Sequence, residues 1–310
     1  MAKQLLKLLI TLILINSWIP QDVNAQTCKV TDYIYLNDPQ DYNTNGFVHK
    51  LKIGTGGVLA EVANGNGTTP WFPAGGGLGS PHGLGQDLNG NLYIGANQIS
   101  GPIAKIKCDG TLVDLNFIND AGYNIISKDG YLYVNSNNNN RISRYALCDG
   151  SLQGYVTLNG VPDNSTNNAQ IDWGLSIDKN GTMYATLGFL ESDANGLKAI
   201  YRFKPTDADF INHTNYNPLV SANAVPPGVA QANLPIPSAW LWGITSDNVG
   251  NMYVIAEDPW FNYTSTDFVG KTWILKYDIN GNLVASVSQR QDQTPIGGFK
   301  EGEELFIMKR

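Results

Sequence analysis

The chain has 310 residues, 42% of them hydrophobic and 15% charged, with a mean hydropathy of −0.19. That is enough apolar side chain for a sizeable core, and neither a disordered chain nor an integral membrane protein fits. A net charge of −7 and a pI near 4.9 offer no electrostatic footprint for nucleic acid or an anionic membrane surface, so neither is an expected partner. Thirty-three glycines and 15 prolines point to many tight turns between short strands, an all-β fold.

Residues 1–25 read as a secretory signal peptide. Lys3 and Lys7 precede an apolar run from Leu8 to Ile15, broken only by Thr11, and Val23-Asn24-Ala25 supplies a small-residue cleavage site. The run is too short to span a bilayer, and no later stretch is apolar enough for a membrane helix. Cleavage after Ala25 leaves residues 26–310 as one domain, secreted to an extracellular or periplasmic space. It is more acidic by one charge, because Lys3, Lys7 and Asp22 depart. Ala25-Gln26-Thr27 lacks the aliphatic residue a lipid-attachment site needs before Cys28. The compartment permits disulfides among Cys28, Cys108 and Cys148. Cys108-Asp109-Gly110 and Cys148-Asp149-Gly150 are matching turns one repeat apart, farther than the roughly 7 Å between Cα atoms that a bridge tolerates. The expectation is that Cys28 pairs with one of them or that none pairs.

The first repeat, Tyr33 to Val62, holds three strands and no innermost one. After it a motif recurs: Asp87-x-x-Gly90-x-Leu92-Tyr93, then Ser127-x-x-Gly130-x-Leu132-Tyr133, Asp178-x-x-Gly181-x-Met183-Tyr184 and Asp247-x-x-Gly250-x-Met252-Tyr253. Gly83-Leu84, Gly174-Leu175 and Gly243-Ile244 precede three copies, so the unit is a hairpin whose turn glycine supplies a positive φ. A second motif follows at Val48-x-Lys50, Ile103-x-Lys105, Ile142-x-Arg144, Ile200-x-Arg202 and Ile274-x-Lys276. Most copies lead to another glycine turn and another strand, giving four strands per repeat, named a to d outward.

Four-stranded units that cannot bury both faces alone must stack, and a radial stack closing on itself is a β-propeller. The pattern Gly-apolar-x-x-Asp-x-x-Gly-x-apolar-Tyr followed by Ile-x-Lys/Arg resembles the NHL, SMP-30 and streptogramin-lyase-like propellers over nearly all of residues 28–310. The resemblance implies the fold and leaves activity open, because such folds host lyases, lactonases and binding platforms. Pairing of Leu305-Phe306-Ile307-Met308 with Tyr33–Leu36 would close five blades; alignment of Phe306 with the strand-b tyrosines would start a sixth.

The a-to-b and most c-to-d turns are short, whereas 63–82, 159–172, 189–197, 214–241 and 257–271 are long. Long loops on a rigid scaffold commonly carry binding residues. Trp71, Trp173, Trp240, Trp242 and Trp260 fall in these loops or at the start of strand a, and His82, Trp173 and Trp242 precede the strand-a glycine, where they would line the channel mouth. Gly122 or Ala121 takes that place in the divergent repeat. Rings with one polar edge suit a carbohydrate, another small molecule or an extracellular protein; packing of the loops onto the blades is the competing explanation. The expected function is therefore a binding or interaction platform, and the alternative is a lyase or lactonase at the mouth. A lyase-like site would use His82 with Asp172 or Asp258. A lactonase-like site would hold a divalent cation such as calcium on Glu191, Glu257 and Asp258. Of the three histidines, His49, His82 and His213, only His82 lies at the mouth, which excludes a three-histidine metal site there. The Asp-x-x-Gly turns lack the alternating ligands of a calcium loop, and the strand-c cations read as isolated charges, one per blade.

Overall fold

The computed structural model describes residues 33–38, 47–53, 59–63, 67, 69, 71–73, 81–96, 101–120, 122, 124–136, 141–159, 174–187, 199–221, 240–257 and 271–290. They form five sheets set in a ring, a five-bladed β-propeller. Blade one contains β1 (Tyr33–Asp38) and β2 (Phe47–Ile53). Its outer position is split between β3 (Leu59–Glu61) and β4 (Phe72–Pro73), which pair with opposite ends of β2. Among the described residues no strand lies inside β1, as the sequence indicates. Blade two runs β5 (Pro81–Gln86), β6 (Leu92–Ala96), β7 (Ile103–Ile106) and β8 (Leu112–Ile118); blade three runs β9 (Asn124–Lys128), β10 (Tyr131–Ser136), β11 (Arg141–Ala146) and β12 (Leu152–Leu158). Blade four has β13 (Gly174–Ile177), β14 (Met183–Leu187) and β15 (Ala199–Phe203). Then come a short helix α1 (Asp207–Ile211), β16 (Asn215–Tyr216) and the outer strand β17 (Val220–Ser221). Blade five is β18 (Trp240–Ser246), β19 (Met252–Glu257), β20 (Lys271–Tyr277) and β21 (Leu283–Arg290). Residues 305–308 lie outside the described residues.

The turn motif has a local cause. Gly90 takes φ 82° and closes a turn by donating its N–H to the Asp87 carbonyl at 3.0 Å. The Asp87 carboxylate accepts from the backbone N–H groups of Asn89 and Asn91, each at 2.9 Å, from Asn91 Nδ2 at 2.8 Å and from the Tyr93 hydroxyl at 3.1 Å. One side chain thus caps the turn and anchors the next strand. Asp247 repeats all four contacts with Val249, Asn251 and Tyr253, and Asp178 repeats three with Asn180, Thr182 and Tyr184. Burial, then the neighbouring Asp87 carboxylate, push the Tyr93 phenol far up, so it remains a donor. The second copy, in blade three, is a different turn. Lys128 pairs with Tyr131, and Asp129 and Gly130 take φ 51° and 85°, a two-residue hairpin of the kind that Asp-Gly favours. The Ser127 copy therefore differs in turn type as well as in its first residue.

The core lies in the seams between blades. Tyr35, Val48 and Trp71 of blade one pack against Leu92, Ile94, Ala104 and Ile106 of blade two. Tyr93 and Ile103 meet Ile125, Leu132, Val134 and Tyr145 of blade three. Tyr133 and Ile142 meet Met183, Ala185 and Tyr201 of blade four, and Tyr184 and Ile200 meet Ile244, Met252, Val254 and Tyr277 of blade five.

The expectation of isolated strand-c charges is corrected here. Each cation stands directly across from a strand-b tyrosine of its own blade: Tyr35 with Lys50, Tyr93 with Lys105, Tyr133 with Arg144, Tyr184 with Arg202 and Tyr253 with Lys276. Three of them also reach into the following blade. Lys50 Nζ donates to the Cys108 carbonyl at 2.8 Å, Lys105 Nζ donates to the Leu147 carbonyl at 3.2 Å, and Arg144 pairs with Asp207. Each target lies in the c-to-d connection of the next blade, so the cation works as a latch between blades. Stacking carries the c-to-d connection of one blade to the strand c of the blade before it, a juxtaposition that sequence spacing does not display.

Cys108 is disulfide-bonded and Cys148 is a free, exposed thiol. A bridge between those two is therefore excluded, as the repeat geometry requires, and Cys28 lies outside the described residues.

Candidate functional site

The two ends of the ring differ. At one end β5–β6, β9–β10, β13–β14 and β18–β19 are joined by the hydrogen-bonded turns described above, and Lys107–Gly110, Ala146–Gly150 and Asp278–Gly281 close equally tightly. At the other end emerge the connections 97–102, 137–140, 159–173, 188–198, 222–239 and 258–270.

The expected single loop 214–241 is corrected by the structure, because its first part contains β16 and β17. The departure begins at 204, where blade four replaces a tight c-to-d turn with a strap running along the rim. Thr206 and Asp209 form a reciprocal capping box that starts α1. Phe210 is then buried against Tyr133, with ring centroids 5.7 Å apart, and β16 pairs in parallel with the end of β12. These contacts bind the strap to blade three while β17 completes blade four.

At the long-connection end, two inner strands share an irregularity. In β5 the pairing passes from Pro81 with Ala96 to Leu84 with Ile94. In β18 it passes from Leu241 with Ala256 to Ile244 with Val254. Each strand carries one extra residue, at His82-Gly83 and at Trp242-Gly243, the same place in the repeat. A bulge bends its strand and re-aims a side chain, and such bulges concentrate at barrel rims and beside functional sites. The equivalent place in blade three is a glycine with little room beside it: a Cβ on Gly122 would lie 2.9 Å from Val134 Cγ1.

His82 is half-buried, and burial pushes its imidazole down to about 4. It is thus neutral at physiological pH, with one ring nitrogen donating and the other accepting. Trp240 stands directly across the ladder from Glu257, so β18 and β19 bring two expected site residues to one rung. Trp71 behaves differently. Only 1% exposed, it packs edge-on to Tyr35 at 5.4 Å, with Lys50 Nζ 5.3 Å from its ring centre. It fills the seam between blades one and two and presents no ring face to a ligand. Trp173, Trp260, Asp172, Glu191 and Asp258 lie outside the described residues. Among the described residues no group of three or more His, Cys, Asp or Glu side chains could hold a metal ion, and no helix is long and apolar enough to cross a membrane.

The bulges and the strap are the features that sequence reasoning missed. The only sequence trace of the bulges is a glycine four residues before the turn aspartate, and the strap's only trace is Thr206-x-x-Asp209.

No protein-family model matches the sequence, and no curated protein matches it. Solved structures do resemble it. The WD40 β-propeller domain of Doa1 is 10% identical with a TM-score of 0.44, over 84% of this chain and 66% of that one. A chain of a nidogen/laminin complex is 14% identical with a TM-score of 0.43, over 84% and 81%. A protein of unknown function from Bacteroides caccae is 14% identical with a TM-score of 0.42, over 83% and 78%. The chain spans just under two thirds of the first of these, and the fold assignment rests on the five sheets themselves.

Proposed function

We propose that the protein is an exported propeller that serves as a binding platform, taking a carbohydrate at the long-connection end of its ring. In this reading His82 and Trp242 line the mouth, and Trp173, Trp240 and Trp260 extend it. The observation that carries it is the pair of matching bulges at His82-Gly83 and Trp242-Gly243, which set apart the mouth positions that the repeat marks. A neutral imidazole beside indole rings offers apolar faces and a donor–acceptor edge, the chemistry that suits a sugar ring. Export is supported by the leader-like residues 1–25 and by the disulfide at Cys108, since such bonds persist in oxidising compartments. The repeat's resemblance to the NHL, SMP-30 and streptogramin-lyase-like families agrees with a mouth-centred site.

The lyase alternative needs a base at the mouth, and an imidazole held near 4 is a weak one, because general-base efficiency peaks when the pKa is near the working pH. The test is a glycan array followed by calorimetry on any glycan captured. Replacing Trp173 and Trp242 together by Ala is expected to weaken binding by about tenfold or more, as two stacking rings are removed, with far-ultraviolet circular dichroism unchanged. Undiminished affinity in that variant overturns the site. Turnover of a lactone or polyuronide that disappears in His82→Ala overturns the platform reading in favour of the enzyme.

A further inference from the structure

Outer strands of a propeller present a free edge, and such edges pair with other chains unless they are blunted. Four of the five outer edges here are blunted. In blade one the edge is broken into pieces of three and two residues. In blade two β8 carries Asp114, and its ladder with β7 shifts register twice. In blade three the end of β12 is covered by β16, and in blade four β17 has two residues.

Blade five is the exception. β21 is eight residues long, Leu283-Val-Ala-Ser-Val-Ser-Gln-Arg290, with no proline, no glycine and no charge before its last residue. It pairs with β20 over six consecutive rungs, from Lys271 with Arg290 to Lys276 with Ala285. Among the described residues no strand occupies its outer edge. Val284 is 54% exposed and Leu283 37%.

We infer that the β21 edge is a self-association surface, where a second copy of this chain adds its own β21 antiparallel about a two-fold axis at Ser286, which then stands opposite its own copy. That register sets Leu283 opposite the second copy's Gln289 and Val284 opposite its Ser288, so no charge meets a like charge. It also brings each copy's basic residue 290 alongside the other copy's 278–282 turn. That turn is acidic: Asp278 is held ionised by hydrogen bonds from the Asn282 side chain and backbone, which lower its pKa. Both ends of the ladder thus have complementary charge, as an isologous contact requires. A ladder over residues 283–289 of both copies runs for about 24 Å at ~3.4 Å per residue. Pairing consumes the one long outer edge left unpaired among the described residues.

The experiment is sedimentation velocity on the full chain from about 1 to about 100 µM, a span that brackets ordinary reversible dimers. A monomer–dimer equilibrium is expected. Val284→Lys, which puts a charge on the edge, is expected to weaken dimerisation at least tenfold, while Val113→Lys, a comparably exposed change on β8, leaves it unchanged. Should Val284→Lys fail to fold by circular dichroism, Arg290→Glu decides, because it sets two acidic groups together at each end and is expected to weaken the dimer severalfold. A wild-type chain that stays monomeric throughout overturns the inference, whether residues 291–310 or another protein then takes the edge. A dimer indifferent to the β21 variants, or equally sensitive to Val113→Lys, overturns it as well.

Discussion

His82 stores a pH dependence in a single side chain. Its folded pKa of about 4 lies below the ordinary 6.5 because burial disfavours the charged imidazole. The unfolded chain therefore binds the proton first as pH falls. The stabilisation is full above pH 6.5 and drains away between 6.5 and 4, and a shift of that size amounts to about 3 kcal/mol at most. Urea midpoints should fall with acidification across that window in the wild type, and the fall should be visibly shallower in His82→Gln. Parallel slopes for the two proteins would place the titration elsewhere. Asp87 is a second residue whose role is now specific. Almost fully buried, it accepts four hydrogen bonds, and Asp87→Ala strands buried donors at a cost of about 2–3 kcal/mol. Ser127, at the same place in the divergent repeat, caps no such turn, so Ser127→Ala is expected to stay within about 0.5 kcal/mol. Equal losses in the two variants, read by urea denaturation, would refute the capping account.

At the scale of elements, what was legible in the sequence follows from how local its cause is. The Asp-x-x-Gly-x-apolar-Tyr spacing is visible because the aspartate, the glycine and the tyrosine act on one another within seven residues, so the hairpin writes its own signature. The strap has no such signature. Its strands have two residues each, below any period, and each pairs with a strand from a different blade; only stacked blades create its partners. Gly154 shows how tight that docking is. It takes φ 115°, and a Cβ there would stand 2.4 Å from the Phe210 carbonyl oxygen. Gly154→Ala is expected to cost about 2 kcal/mol or more through backbone strain and displacement of α1. Hydrogen exchange should then show faster amides across residues 207–216 with blade two unaffected. An unchanged exchange pattern would mean that the helix does not depend on this approach.

For the whole molecule, the repeat foretold the wheel, and the seams distinguish its parts. Val48, Ile103, Ile142 and Ile200 hold one position of the second motif and are 0% exposed, each inside the seam to the following blade. Ile274, the fifth copy, is 40% exposed. It lies on the face of blade five turned away from blade four, whose seam is filled by Leu275 and Tyr277. On the facing side, blade one offers half-buried Leu51, and His49 at 2.7 Å from Glu61, where the other blades put buried side chains such as Ile106 and Tyr277. Among the described residues no apolar cluster joins the last sheet to the first. The motif keeps a β-branched residue two positions before a cation in all five copies, so only the assembled ring reveals that one seam is built differently. Four seams packed alike, three of them latched by a strand-c cation, and a fifth that exposes its isoleucine, make the fifth the place where the wheel opens first. Ile142→Ala empties a filled seam and is expected to cost about 2–5 kcal/mol. Ile274→Ala removes a side chain already largely in water and should cost about 1 kcal/mol or less. Urea denaturation of the two variants checks the difference. If Ile274→Ala costs as much as Ile142→Ala, the seam between blades five and one is as firmly packed as the rest, and the ring has no preferred point of opening.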